Sequence, residues 1–187
     1  MTDGAPGKVG TEDTRLIVIR GNSASGKSSV AAGLRDKFGR NLAIVAQDNL
    51  RRIVLRERDR PGGANIGLID LTARYALDNG FHVVVEGILY ADRYGPMLQD
   101  LVRTHRGVSR CYYLDVPYAE TVRRHATKAD AQYLQHVTPD HLSDWYRAKD
   151  LLPDALETVV DADSALDDTI QRIMRESGLD RVLPIDR

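Results

Sequence analysis

The run Gly21-Asn22-Ser23-Ala24-Ser25-Gly26-Lys27-Ser28 carries two glycines, a lysine and a serine at the spacing G-x-x-x-x-G-K-[ST]. Those residue types suit one task. Glycines let the main chain curl until successive N–H groups converge, forming a cage for phosphate oxygens. A helix that starts inside the cage adds the positive end of its dipole, and Ser29 falls in its first turn. Lys27 is placed to reach the β- and γ-phosphates of a nucleoside triphosphate, and the Ser28 hydroxyl to hold Mg²⁺.

Two acids follow apolar segments. Asp48 comes after Leu42-Ala43-Ile44-Val45-Ala46-Gln47, and Glu86 comes after Val83-Val84-Val85. An acid at the position of Asp48 could accept the proton of a hydroxyl that attacks the γ-phosphate, or hold Mg²⁺ through water; it could also N-cap the next helix. Glu86 could contact a metal-bound water or an acceptor hydroxyl. Arg51 stands at i+3 from Asp48 and faces the same way. Arg51 and its neighbour Arg52 are candidates for orienting an acceptor, whereas Arg56, Arg58 and Arg60 read as a solvated face. Tyr90 lies in the loop after Glu86, on the same side. Arg123, Arg124 and Lys128 close a later helix, and Arg124 and Lys128 could neutralise charge on a phosphoryl group in transit. The five histidines have no metal-ligand spacing and read as structural or exposed. Trp145 reads as a packing anchor.

These side chains need elements to bring them together. Leu16-Ile17-Val18-Ile19 is short and continuously apolar, as a buried parallel strand is. Further strands are expected over 42–47, 83–85, 111–116 and 158–160. Helices are expected over 29–38, 49–58, 65–78, 96–105, 118–128 and much of 129–148. A last helix capped by Asp163 or Ser164 ends near Gly178. Five alternations of strand and helix imply an α/β fold: a five-stranded parallel sheet between two helical layers, with a small helical lid near 118–148. Right-handed crossovers put every strand's carboxyl end on one edge. The loop from Gly21 to Ser28, Asp48, Glu86 and Asp161 should therefore gather there.

Composition narrows the partners. The chain has 187 residues, 42% hydrophobic, and a net charge of −1. That suits one globular domain with a small lid and disfavours bulk electrostatic binding to nucleic acid. The single cysteine, Cys111, lies in an apolar run and fits a reducing, cytoplasmic setting as buried filler. No stretch has membrane-spanning length. Residues 1–14 read as a loose tail, 15–178 as the domain and 179–187 as a second tail. The number of subunits stays open.

Taken in order, these motifs resemble the small P-loop kinases related to zeta toxins and chloramphenicol phosphotransferase, and more distantly shikimate and gluconate kinases. The resemblance rests on Gly21 to Ser28, Asp48 with Arg51, Val83-Val84-Val85-Glu86-Gly87, and Leu114-Asp115-Val116-Pro117 followed by Arg123-Arg124. It implies a three-layer αβα P-loop NTPase fold, ATP and Mg²⁺, with Asp48 as catalytic base. Arg124 would be the lid arginine, and the loop at Asp161 would lie beside the adenine. The expected activity is transfer of the γ-phosphate of ATP to a hydroxyl of a small molecule. The alternatives are a nucleotide-dependent regulatory ATPase and a polynucleotide 5′-hydroxyl kinase.

Overall fold

The computed structural model describes residues 7–127 and 138–184. Five strands form one sheet: β1 (Arg15–Gly21), β2 (Leu42–Ala46), β3 (His82–Glu86), β4 (Val108–Asp115) and β5 (Glu157–Asp161). Their spatial order is β2-β3-β1-β4-β5, and every pairing is parallel. β1 is central. The chain leaves it toward β2 on one side, and β4 later takes up its other side. The crevice beyond β1's carboxyl end is therefore the topological switch point, where ligands bind in open α/β sheets.

Side-chain alternation divides the core in two. Leu16, Val18, Val83 and Val85 face α2 (Ala64–Asp78) and α3 (Ala91–Thr104). Ile17, Ile19, Val84 and Leu114 face α1 (Lys27–Phe38) and α6 (Leu166–Ser177). A strand buried on both faces reads as a near-continuous apolar run, which is why no polar alternation marked these segments. α4 (Tyr118–Ala126) and α5 (Pro139–Trp145) follow β4. Thr138 caps α5 in a reciprocal box with His141. The three-layer α/β expectation holds.

Several boundaries differ from those expected. The segment after Asp48 is a single wide turn, Asn49–Val54, closed by Leu55 N–H donating to Leu50 O at 3.0 Å, five residues back. It stops short of the helix expected to 58. Such i→i+5 turns recur at functional sites. α3 starts at Ala91 rather than Pro96, because the Ala91 N–H is met by Asp150 Oδ2 at 2.9 Å, a partner 59 residues away. α6 is capped at Ala165, without a side-chain hydrogen bond from Asp163 or Ser164. The amino-terminal segment is anchored from Val9 onward. Val9 N–H donates to Thr104 O, Arg106 N–H donates to Val9 O, and the Val9 side chain is buried in the core. At the other end Leu179 is buried beside Ile173.

Two buried imidazoles stand at the edge of the sheet opposite the switch point. His82 accepts the Arg15 N–H at Nδ1, 3.1 Å away, and packs edge-on against Phe38. His105 lies between Thr14 Oγ1 at 2.9 Å and Ser109 Oγ at 2.8 Å. Burial, aided by Arg15, lowers both from an ordinary 6.5 to about 4. The unfolded chain thus takes up protons near pH 6.5 that the native chain refuses until about pH 4. The stability these rings contribute is present above pH 6.5 and is lost as pH falls through that window. The loss is at most about 3 kcal/mol for each ring. Urea titrations from pH 7 to pH 4 should show this decline, and His82→Gln should reduce it, leaving the share of His105.

Candidate active site

The loop after β1 takes its shape from two glycines. Gly21 has φ +145° and Gly26 φ +101°; a Cβ on Gly21 would lie 2.7 Å from Leu114 O, so even a methyl group does not fit there. Ala24 takes a left-handed φ of +58° between them. Lys27 is buried and folds back over the loop, donating from Nζ to Asn22 O at 2.7 Å and Ser25 Oγ at 3.3 Å. The Ser28 hydroxyl donates to the Glu86 carboxylate at 3.2 and 3.3 Å. Burial raises the Glu86 carboxyl above the ordinary carboxylate range, against the opposing pull of Lys27 and Ser28.

Three cavities run in series along this edge. The first, about 320 Å³, is lined by Ser23, Ala24, Gly26, Lys27, Ser28, Ser29, Asp48, Glu86 and Arg124, among others. The second, about 440 Å³, opens from Ser25, Gly26, Ser29 and Arg124 toward Val116, Val160 and the turn from Asp161 to Leu166. The third, about 650 Å³, leads from Ser23, Asp48 and Ile88 to Arg51, Arg52, Tyr90 and the residues at the end of α5. Residues far apart in sequence are thus joined: Gly26, Ser29 and Arg124 join the first to the second, and Ser23, Asp48 and Ile88 join the first to the third.

Asp48 does not cap the turn that follows it. Its side chain is 62% exposed and turned to Arg51 Nη2 at 2.9 Å and Arg52 Nη1 at 3.6 Å. Arg124 is held by Glu120 at 2.6 Å, and donates to Ser25 O at 3.3 Å and Ala162 O at 3.2 Å. It bridges the phosphate loop and the turn after β5, where Asp161 sits. Lys128 lies outside the described residues. Gly21 shapes the loop from beneath and lines none of the three cavities. Asn22 lines none either. Its side chain is buried and clamps the main chain of Arg147, donating to Arg147 O at 2.8 Å and accepting Arg147 N–H at 2.9 Å.

Other placements correct the sequence reading. Arg58, taken as part of a solvated face, lines the third cavity with Asp59, Arg93, His141, Asp144, Trp145 and Arg147. Tyr90 donates to Trp145 O at 2.6 Å, and its ring carries Arg147 at 4.0 Å and Arg93 at 4.9 Å. Arg93, Asp59, His141 and Arg147 had no motif to mark them.

A buried charge cluster lies behind the phosphate loop. Arg20, the residue before Gly21, is fully buried. Its Nε donates to Leu89 O at 2.8 Å, Nη1 pairs with both Glu157 oxygens at 2.9 Å, and Nη2 reaches Asp150 at 2.9 Å. Leu89 is buried at φ +47°, a costly torsion for this residue. It is fixed there by Arg20 on its carbonyl and by Gln47 Oε1 on its N–H at 3.1 Å.

A five-stranded parallel sheet with helices on both faces and a glycine loop opening a helix at the switch point define the P-loop kinase fold. Solved structures share it. A sugar kinase from Janibacter sp. HTCC2649 superposes with a TM-score of 0.64 at 19% identity, covering 92% of this chain and 99% of that one. The APS kinase of Mycobacterium tuberculosis, in complex with AMPPNP and APS, gives 0.63 at 20%, covering 94% and 99%. A gluconokinase from Sinorhizobium meliloti 1021 gives 0.60 at 16%, covering 91% and 94%. No family model and no curated protein matches the chain by sequence. The likeness at these identities is one of fold, and it does not single out the zeta-toxin and chloramphenicol phosphotransferase group.

Replacing Arg20 with Met should cost about 3–5 kcal/mol, because Glu157, only 1% exposed at its side chain, would keep a buried charge without a counterion. Guanidinium unfolding of Arg20→Met beside the double variant Arg20→Met/Glu157→Leu checks this, and the double variant should recover most of the loss.

Proposed function

We propose that the protein is an ATP-dependent phosphotransferase that moves the γ-phosphate to a hydroxyl of a small-molecule acceptor. The observation that carries this reading is the position of Asp48, which lines both the phosphate-loop cavity and the larger cavity beside it. A nucleotide in the first two cavities and an acceptor in the third would meet at that carboxylate. The Asn49–Val54 turn directs Arg51 and Arg52 back onto it, so it is oriented before any acceptor arrives.

The donor set fits the proposed ligands. Ser28 and Glu86 offer a hydroxyl and a carboxylate within 3.2–3.3 Å of one another. Among the described residues no cluster of three or more His, Cys, Asp or Glu could cage a metal. Magnesium rarely needs such a cage: one or two protein oxygens, water and substrate phosphates suffice. Ser28 would hold it directly and Glu86 through water, and when bound it would offset charge on the phosphates. Lys27 would exchange its bonds to the loop for phosphate oxygens. The turn from Asp161 to Ala165, with Val116 and Val160, would receive the base.

In the transfer, Asp48 takes the proton of the acceptor hydroxyl. The oxygen's electron pair forms the new bond to the γ-phosphorus. The bond from that phosphorus to the β–γ bridging oxygen breaks, and its electrons leave with ADP. Lys27 and Arg124 offset the charge that gathers in between. We further assign 118–148, of which 128–137 lie outside the described residues, as a lid over this step, and Cys111 as inert filler in a reducing cytoplasm. The Cys111 thiol is buried and pushed up to about 12, mainly by burial.

Phosphoryl transfer from ATP to a hydroxyl-bearing metabolite panel, with products identified by mass, tests the reading. Asp48→Asn should cut the rate by about 10²–10⁴-fold with ATP affinity retained, since only the proton acceptor is lost. Lys27→Ala should lower rate and ATP affinity together. Full activity of Asp48→Asn on the true acceptor would sink the assignment. Hydrolysis without any acceptor, alongside a nucleotide-dependent protein partner, would favour a regulatory ATPase.

A further inference from the structure

The third cavity is lined by five arginines, Arg51, Arg52, Arg58, Arg93 and Arg147, against three aspartates, Asp48, Asp59 and Asp144. An excess of cations inside a concavity is costly unless something offsets it. Arg147 is met from outside the cavity by Asp92 at 2.9 Å, and Arg52 is met by Asp48 at 3.6 Å, whereas the other three are incompletely partnered. Arg51 uses Nη2 on Asp48 and Nη1 on Glu57 O, and its Nε–H is buried without an acceptor. Arg93 uses Nη1 on Asp59, and its Nε–H is likewise buried without an acceptor. Arg58 makes no hydrogen bond or ion pair among the described residues. Both Nε atoms are closed to solvent, so the open donor on this wall is the unbonded, exposed Arg58 guanidinium.

The cluster is held in place from outside. Glu57 accepts from Ala64 N–H at 3.0 Å, Asn65 N–H at 2.9 Å and Asn65 Nδ2 at 3.0 Å, which caps α2 and pins the loop bearing Arg58 and Asp59. Those hydrogen bonds keep the Glu57 carboxyl below the ordinary carboxylate range. Tyr94 Oη ties Asp59 to Asn65 at 2.8 Å on each side. Asn22 fixes the main chain at Arg147 from the phosphate loop. Tyr90 provides the surface on which Arg93 and Arg147 rest.

From this we infer that the acceptor is an anion: a small molecule bearing a phosphate or carboxylate group besides the hydroxyl that is phosphorylated. Arg58 and Arg93 bind that group, while Asp48, held by Arg51, faces the hydroxyl. The inference rests on the phosphotransferase reading and narrows its substrate class. Planar guanidinium forks suit both carboxylate and phosphate oxygens, so the two are separated by experiment.

Trp145 is the only tryptophan of the chain and lines this cavity, so its emission reports binding there directly. With magnesium-AMPPNP filling the nucleotide site, the emission is titrated with matched probes. Glycerol 3-phosphate is set against glycerol, and glucose 6-phosphate and gluconate against glucose. The charged probes should half-saturate at least about tenfold below their neutral partners. Arg58→Ala and Arg93→Ala should each weaken the charged probes about tenfold or more and leave AMPPNP affinity unchanged. Arg58 is exposed and unbonded, so its removal leaves the fold intact if Arg93→Ala does not. Glucose 6-phosphate leading gluconate would identify a phosphate-bearing acceptor, and the reverse order a carboxylate.

Equal response to charged and neutral probes, no response to any charged probe, or unchanged binding in Arg58→Ala would overturn the inference. Preferred phosphorylation of a 5′-hydroxyl oligonucleotide over every small anion would overturn it in favour of a nucleic-acid acceptor. Failure of AMPPNP itself to bind would instead strike the phosphotransferase reading, which keeps the two failures distinct.

Discussion

One buried guanidinium joins the parts of this site that lie farthest apart in sequence. Arg20 ends the central strand immediately before the phosphate loop. Its donors reach the turn after β3, the last strand, and the segment that returns from α5. Asp150 in turn meets the first N–H of α3. A charge at this depth would be ruinous alone. Paired on every side it is tolerable, and its geometry leaves few alternatives for the loops it touches. The floor of the phosphate loop and the loops beside the third cavity thus share one set of hydrogen bonds.

The same economy of position appears at Asp48. A parallel sheet delivers every strand's carboxyl end to one edge, so an acid after β2 and an acid after β3 arrive beside the loop after β1 without any local signal linking them. Their environments then set them apart. Glu86 is buried, bonded by Ser28, and raised in pKa by desolvation. Asp48 is open to solvent and held by two arginines. Two carboxylates in one cavity with such different surroundings suit different tasks.

Much of this was legible in residues alone. The glycine loop, its flanking strand and helix, the five alternations and the acids at strand ends followed from spacing and apolar runs. The third cavity did not. Arg58 looked like one of several surface arginines because its neighbours Arg56 and Arg60 are just that. Its role depends on Glu57 turning to cap α2 rather than pointing into solvent. Arg93 sits in a helix whose start was misplaced, since the cap that moves it comes from Asp150. Asn22 belonged to the phosphate motif by register, yet its side chain spends its bonds on Arg147.

The sequence by itself determined the chemistry near the chain's start and the class of fold, because both rest on local patterns: a torsion only glycine takes freely, and apolar runs whose length and spacing have few other uses. Tertiary structure alone decided which arginines share a cavity and which carboxylate lines two cavities at once. Those outcomes depend on how loops from separate crossovers approach, and that approach is set by long-range hydrogen bonds and buried ion pairs that leave no periodic trace along the chain.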